Sequence, residues 1–178
     1  MTNSGQPLTS HPDSAAESTL RVPTHVYPYS AGIYGGIAGG LGMTLVGLAY
    51  GLLSSHGIWY PVNLIAATVI RSWQVASQVQ LERFSWLGLG VGLAIHLVMS
   101  TGLGLLFAML LPALPGRPLV WAFVVGPILW AGAVYAGLPL LNPIMARLVD
   151  GLSFAVANIV YSLILGLWIT RTPKIPVR

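Results

Sequence analysis

The sequence predicts an all-α integral membrane protein, with four transmembrane helices and one interfacial amphipathic helix after the first span. Three observations predict it. The chain has 178 residues, of which 55% are hydrophobic and only 7% charged, whereas soluble domains carry about 25% charged residues. Its mean hydropathy is +0.78. Four runs contain no Lys, Arg, Asp or Glu: Val22–Ile70, Phe84–Gly116, Pro118–Ala146 and Gly151–Thr170. Roughly 20 apolar residues cross the hydrocarbon layer as a helix, and every run is long enough.

Residues 1–30 are rich in Ser, Thr and Pro and hold no apolar run. Burial cannot offset the entropy of ordering them, so a flexible tail is expected. The tail lacks the basic start and apolar core of a cleavable signal peptide, so the first span is expected to direct insertion. The transmembrane domain is expected over residues 31–170, and residues 171–178 close the chain as a second tail.

Span one is predicted over residues 31–54. Gly32, Gly36 and Gly40 stand four apart, and Gly47 and Gly51 continue the spacing. Small residues at i and i+4 let two helix backbones approach closely in lipid. Trp59 and Tyr60 then suit the headgroup level, and Gly57 and Pro61 interrupt the helix. Residues 62–83 repeat Val62, Ile65, Val69, Trp73, Ala76 and Val79 at helical spacing, with Arg71, Gln74, Gln78, Glu82 and Arg83 mostly off that face. An amphipathic helix is expected there, lying in the interface or docked on protein. Its apolar centre, Leu64–Ile70, is too short to cross.

Span two is predicted over residues 85–111, ended by Pro112, Pro115 and Gly116. Span three covers residues 119–141, with Pro127 expected to kink it. An Asn-Pro turn at Asn142 leads to span four, residues 152–170. Four spans put both termini on one side. That side carries Arg21, Arg117, Arg171, Lys174 and Arg178, against Arg71, Arg83 and Arg147 opposite. The bias favours cytoplasmic termini. The scattered basic residues read as membrane orientation, not as a nucleic-acid surface.

Spans two and four resemble one another. At an offset of 62, Val98, Ser100, Gly104 and Leu105 repeat as Val160, Ser162, Gly166 and Leu167, and His96 faces Asn158. Spans one and three match through Gly47, Tyr50 and Leu53 beside Gly132, Tyr135 and Leu138, each followed by an Asn, Asn63 or Asn142. These matches suggest duplication of a two-helix unit, a parallel repeat about the membrane normal. Gly92, His96, Ser100 and Gly104 form one slowly winding stripe, and Asn158, Ser162 and Gly166 another.

The chemistry centres on His96. An ionisable group inside a span is costly and faces protein or a water-filled cavity. Its ring is the candidate for cofactor binding, proton relay or a quinone contact, or else bonds a neighbouring helix. Haem held within the chain needs a second histidine at similar depth, and His11, His25 and His56 are not so placed. A proton path needs intramembrane carboxylates, and the spans contain none. Asn158 is expected to clamp helices through its amide. Asp13, Glu17, Glu82 and Asp150 are the only acids, and no phosphate loop or metal-ligand spacing occurs. Cysteine is absent, which excludes disulfides and thiolate chemistry. No enzyme activity, no metal and no intrinsic cofactor are therefore expected; lipid or quinone contact remains open.

The stretches His96–Pro118, Asn142–Ile169 and Gly57–Ala67 together resemble small four-span bacterial membrane proteins associated with respiratory-chain genes. The resemblance covers most of residues 31–170. Those proteins carry an aromatic pair where this chain has Leu152 and Ser153. The resemblance implies an accessory subunit of a larger electron-transport complex, in contact with lipid and other membrane subunits. The alternatives are a small homo-oligomeric transporter or channel, or a haem-, pigment- or quinone-binding subunit using His96.

Overall fold

A computed structural model describes residues 24–176. Most of the expected N-terminal tail, with Arg21, and the terminal Arg178 lie outside those residues. The helices are α1 (Tyr29–Leu53), α2 (Trp59–Ala66), α3 (Gln78–Glu82), α4 (Trp86–Leu110), α5 (Pro118–Gly132), α6 (Leu138–Leu141), α7 (Pro143–Leu148) and α8 (Gly151–Arg171). A π-helical turn, Ala133–Gly137, joins α5 to α6. Four stretches are long and apolar enough to cross a membrane: Tyr29–Leu53, Trp86–Ala113, Pro118–Leu141 and Gly151–Arg171. The all-α four-span fold is thus as the sequence predicts.

The helix ends follow local chemistry. The Ser85 hydroxyl accepts from the Gly88 amide at 3.1 Å, capping α4, and Asp150 Oδ2 accepts from the Ser153 amide at 2.7 Å, capping α8. Each satisfies a donor that the helix itself leaves free. Gly57, at φ +83°, turns the chain after α1 in a conformation that a side chain would strain. Strands β1 (His25–Val26) and β2 (Ile175–Pro176) pair antiparallel, so the ends of the bundle's outer segments meet. At the opposite end Phe84 meets Trp59 at a tilt and Trp86 edge to face, each with ring centres 4.7 Å apart, where amphipathic rings suit a membrane interface.

The π turn has an identifiable cause. Pro139 lacks an N–H, and its ring crowds the carbonyl of Tyr135, four residues back. The Leu138 amide instead reaches the Ala133 carbonyl, one residue further than in an α-helix. The last turn of span three, Leu138–Leu141, follows directly.

Helix α1 packs along both α4 and α8, α5 packs on α8, and α2 packs on α4. The α1–α4 seam is made by glycine. A Cβ on Gly36 would lie 2.5 Å from the Ser100 carbonyl oxygen, and one on Gly32 2.5 Å from that of Gly104. The α5–α8 seam is built alike: Gly126 lies against Ser162 and Asn158, and Gly166 against Ala122. Gly40, Gly36 and Gly32 therefore correspond to Gly126, Ala122 and Pro118, each 86 positions later. The sequence matches through Gly47 and Gly132 place this register one residue off. Packing decides it, because only the 86-residue offset brings small residues to the seam in both pairs.

The segment over residues 62–83 departs from the single amphipathic helix expected there. It folds as α2, a 3₁₀ turn at Arg71–Val75 and α3. Side-chain amides capture its backbone. Asn63 Nδ2 donates to the carbonyls of Leu81 and Arg83, both at 2.8 Å. In a continuous helix Asn63 and Leu81 would lie about 27 Å apart. The cap so formed buries Tyr60, Leu64, Ala67 and Leu81 against Ile144 and Met145 of α7.

At its outer edge, His56 Nδ1 lies 2.9 Å from Glu82 Oε1 and 2.9 Å from the Gln78 amide nitrogen. Nδ1 has one hydrogen at most, and a carboxylate only accepts, so the ring donates to Glu82. The Gln78 amide then donates to Glu82 Oε1 at 3.1 Å. The Gln78 bond first, and the His56 bond second, hold the Glu82 carboxyl below its ordinary value of 4.5. A depressed carboxyl contributes stability above its unfolded pKa and loses it as pH falls through the folded one. Amide-exchange protection in α3, taken relative to the intrinsic exchange rate at each pH, should therefore fall as the pH drops below about 4.5. Glu82→Gln should abolish that pH dependence, and an unchanged protection profile in the variant would disprove the link.

Candidate functional site

Helices α4 and α5 follow each other in sequence yet make little direct contact. Between them lies a cleft of about 550 Å³, whose floor is formed by Asn158 and Tyr161 of α8. Small-molecule sites commonly enclose roughly 300–1,000 Å³. The wall on the α5 side runs through Gly132, Ala133, Gly137 and Leu138. The π turn, with Gly132 before it and Gly137 at its end, thus lines the opening. The lining is overwhelmingly apolar, and no charged residue contributes to it.

His96 lines this cleft and also a smaller chamber of about 100 Å³ among α1, α2, α4 and α8. Its Nε2 lies 2.9 Å from the Gly40 carbonyl oxygen across the α1–α4 seam. A carbonyl can only accept, so the hydrogen sits on Nε2. In the neutral ring, Nδ1 is then left as an acceptor. Gly40 is part of this device: without a Cβ, its backbone comes close enough for the imidazole to reach it.

Most of the other polar groups expected as a clamp bond within their own helices. Ser100 Oγ donates to Leu97 O at 3.2 Å, and Ser162 Oγ to Ile159 O at 3.0 Å. Asn158 Nδ2 donates to Phe154 O at 2.8 Å. The interhelical amide clamp expected of Asn158 is therefore not made. Short polar side chains readily satisfy themselves on carbonyls one turn back. Asn158 is nonetheless only 7% exposed, and its Oδ1 has no hydrogen bond among the described residues. The interhelical bond beside it comes from Tyr161, whose hydroxyl donates to Ser100 O at 2.6 Å. Gly92, the remaining member of the α4 stripe, lies against Val62 of the cap and not against α1.

One end of the cleft is closed by a polar knot that the stripes in the sequence do not reveal. Asn142 is 1% exposed. Its Nδ2 donates to Leu64 O at 2.7 Å and Thr68 Oγ1 at 2.9 Å. Its Oδ1 accepts from Gln74 Nε2 at 3.0 Å and from the Met145 amide at 3.2 Å. Gln74 also donates to Ala67 O at 2.6 Å and accepts from the Ile144 amide at 3.0 Å. Two amide side chains thereby fasten the cap to the start of α7. The Asn-Pro pair marks a turn at Asn142, but nothing local announces Gln74 as its partner.

Among the described residues, no group of three His, Cys, Asp or Glu side chains comes close enough to hold a metal ion. His25 stands in β1 and His56 at the cap edge, so neither shares the cleft with His96. Among known proteins, the chain matches no family model, no curated protein and no solved structure.

Proposed function

We propose that this chain is a non-catalytic accessory or assembly subunit of a larger bacterial membrane complex of the electron-transport class, with both termini cytoplasmic. The observation that carries the proposal is α5. Among the spans it packs on α8 alone, and 11% of its apolar window is buried, against 39% for α8. Packing contacts are what hold helices together in lipid, since the hydrophobic effect does not act between them. A span with one neighbour forgoes most of those contacts, and a helix from another subunit would supply them. Val120, Phe123 and Ile128 form the outward face of α5, each more than 60% exposed.

A photocrosslinking amino acid at Phe123 tests this in native membranes. The expected product is a stoichiometric adduct with a different polypeptide, and the same partner should co-purify in mild detergent. An adduct only with a second copy of this chain would overturn the reading. That result would favour a small homo-oligomeric transporter, a second reading supported by His96 and Asn158 lining one cleft. Under the second reading, His96→Ala should abolish flux in proteoliposomes. Under the first, no flux depends on His96. A Soret or pigment band in the intact complex would point instead to a cofactor held by His96 across an interface.

A further inference from the structure

The bundle leaves one side of its packing open. The α1–α4 seam corresponds to the α5–α8 seam, and α1 also packs extensively on α8, yet α4 and α5 make little direct contact. The space of about 550 Å³ between them opens sideways, because its rim residues Met99 and Ile128 are 54% and 61% exposed. Both rim residues stand on spans, so this side faces the hydrocarbon of the bilayer. Toward the cap the cleft ends on Thr68, Asn142 and Met145. An occupant therefore enters laterally, from the lipid.

One polar group on the cleft floor lacks a partner. Asn158 is only 7% exposed. Its side-chain atom 2.8 Å from the Phe154 carbonyl oxygen is the nitrogen, since a carbonyl only accepts. That fixes the orientation of the amide and leaves Oδ1 as an acceptor with no hydrogen bond among the described residues. Oδ1 is not one of the unpaired polar atoms sealed inside protein. Asn158 lines this cleft and not the smaller chamber, so the oxygen opens onto the cleft. An unpaired acceptor in apolar surroundings is unfavourable, and a donor relieves it.

The depth of that oxygen selects the donor. Asn158 lies seven residues along α8 from Gly151, about 10 Å beyond the helix start. A charged head group there would be desolvated with no opposite charge to meet it, because no Lys, Arg, Asp or Glu lines the cleft. The donor is therefore uncharged. A single water would pair Oδ1 but leave most of the apolar space unfilled, without the dispersion contacts of a chain. A bare hydrocarbon chain would fill the space but leave Oδ1 unpaired. We propose that the α4–α5 cleft binds a neutral lipid headed by a hydroxyl. The hydroxyl donates to Asn158 Oδ1, and the apolar chain lies along the cleft walls. A partner's transmembrane helix does not fit: as a cylinder about 10 Å across and 30 Å long it occupies roughly 2,400 Å³. The site lies within one chain and does not depend on the partner proposed above.

Equilibrium dialysis of the full chain in phosphatidylcholine nanodiscs tests the proposal, since that lipid carries no hydroxyl. The probes are radiolabelled dodecanol and dodecane, each corrected for its uptake by empty nanodiscs. Dodecanol should bind saturably and roughly 3- to 10-fold more tightly than dodecane, the equivalent of one net hydrogen bond. Asn158→Leu should still bind dodecane but lose the preference for the alcohol. Gly132→Phe tests the space itself. Ile128, Leu129, Gly132 and Ala133 line the cleft from one face of α5, and a Cβ at Gly132 meets nothing within 4 Å. The added ring should fill the cleft and abolish binding of both probes, with an unchanged melting temperature. No saturable dodecanol binding, equal affinity for dodecane in the parent, a preference that survives Asn158→Leu, or full binding by Gly132→Phe would each overturn the proposal.

Discussion

Gly36→Ile should melt the detergent-solubilised chain far below the parent, with a loss of about 3–6 kcal/mol. A Cβ at this position meets the Ser100 carbonyl oxygen at 2.5 Å and the Thr101 Cα at 3.1 Å. Both are backbone atoms of α4, so no rotamer change relieves the clash. The helices must separate, and overpacking of this kind costs about 1–3 kcal/mol, sometimes more. Separation also breaks two interhelical bonds anchored at the same level: His96 to the Gly40 carbonyl and Tyr161 to the Ser100 carbonyl. Each is worth on the order of 0.6–2 kcal/mol in a membrane bundle. Gly90→Ile is the matched control on α4, because a Cβ there meets nothing within 4 Å. It should melt close to the parent. Equal melting of the two variants would show that the α1–α4 seam does not hold the bundle.

That seam was legible in the sequence because lipid makes small-residue spacing informative. Gly32, Gly36 and Gly40 announce one face, and His96, Ser100 and Gly104 the face that meets it. The matching stripe on α5 was not legible. It reads Pro118, Ala122, Gly126, and a proline at a helix start looks like punctuation, not like a packing surface. The likeness between spans two and four was visible at an offset of 62. The 86-residue offset between spans one and three was hidden by the cap, which adds chain to the first repeat only. The π turn left a local signal, Pro139 shortly after Gly132 and Gly137. Pro127 draws attention first, yet the π-helical turn falls at Ala133–Gly137, just ahead of Pro139.

The site was legible only in part. His96 is conspicuous as an ionisable group in a charge-free run, and it does bond a carbonyl on another helix. Its tautomer is set by the Gly40 carbonyl, which no sequence pattern foretells. The role expected of Asn158 required an interhelical partner, but the carbonyl one turn back is nearer and always present. The cap was misread for a different reason. Residues 62–83 have helical periodicity, and periodicity reports which residues are buried, not whether the backbone between them is continuous. Long-range bonds from Asn63, Gln74 and Asn142 to main-chain groups leave no periodic trace.

Those bonds give the second large effect. Asn142→Ala should open the cap while leaving the four spans helical. The substitution removes four hydrogen bonds at a residue 1% exposed. The carbonyl of Leu64 and the amide of Met145 then lose their partner inside protein, and Gln74 loses one of its three. An orphaned buried polar group costs about 1–3 kcal/mol. With some groups recovered by water, the sum is roughly 3–5 kcal/mol. The loss should be local, because the knot joins α2, the 3₁₀ turn and α7, whereas α1, α4 and α8 meet along other seams. Far-UV circular dichroism should therefore change little, while trypsin cleavage at Arg71, inside the 3₁₀ turn, should accelerate by at least tenfold. Gln74→Ala should show the same effect in smaller measure. The double variant should fall short of the sum, since both residues serve one network. Strict additivity, or unchanged cleavage at Arg71, would refute the knot. Thr68, Asn142 and Met145 also line the α4–α5 cleft. A cap freed by Asn142→Ala should thus weaken whatever the cleft holds, even though His96 and Asn158 stay in place.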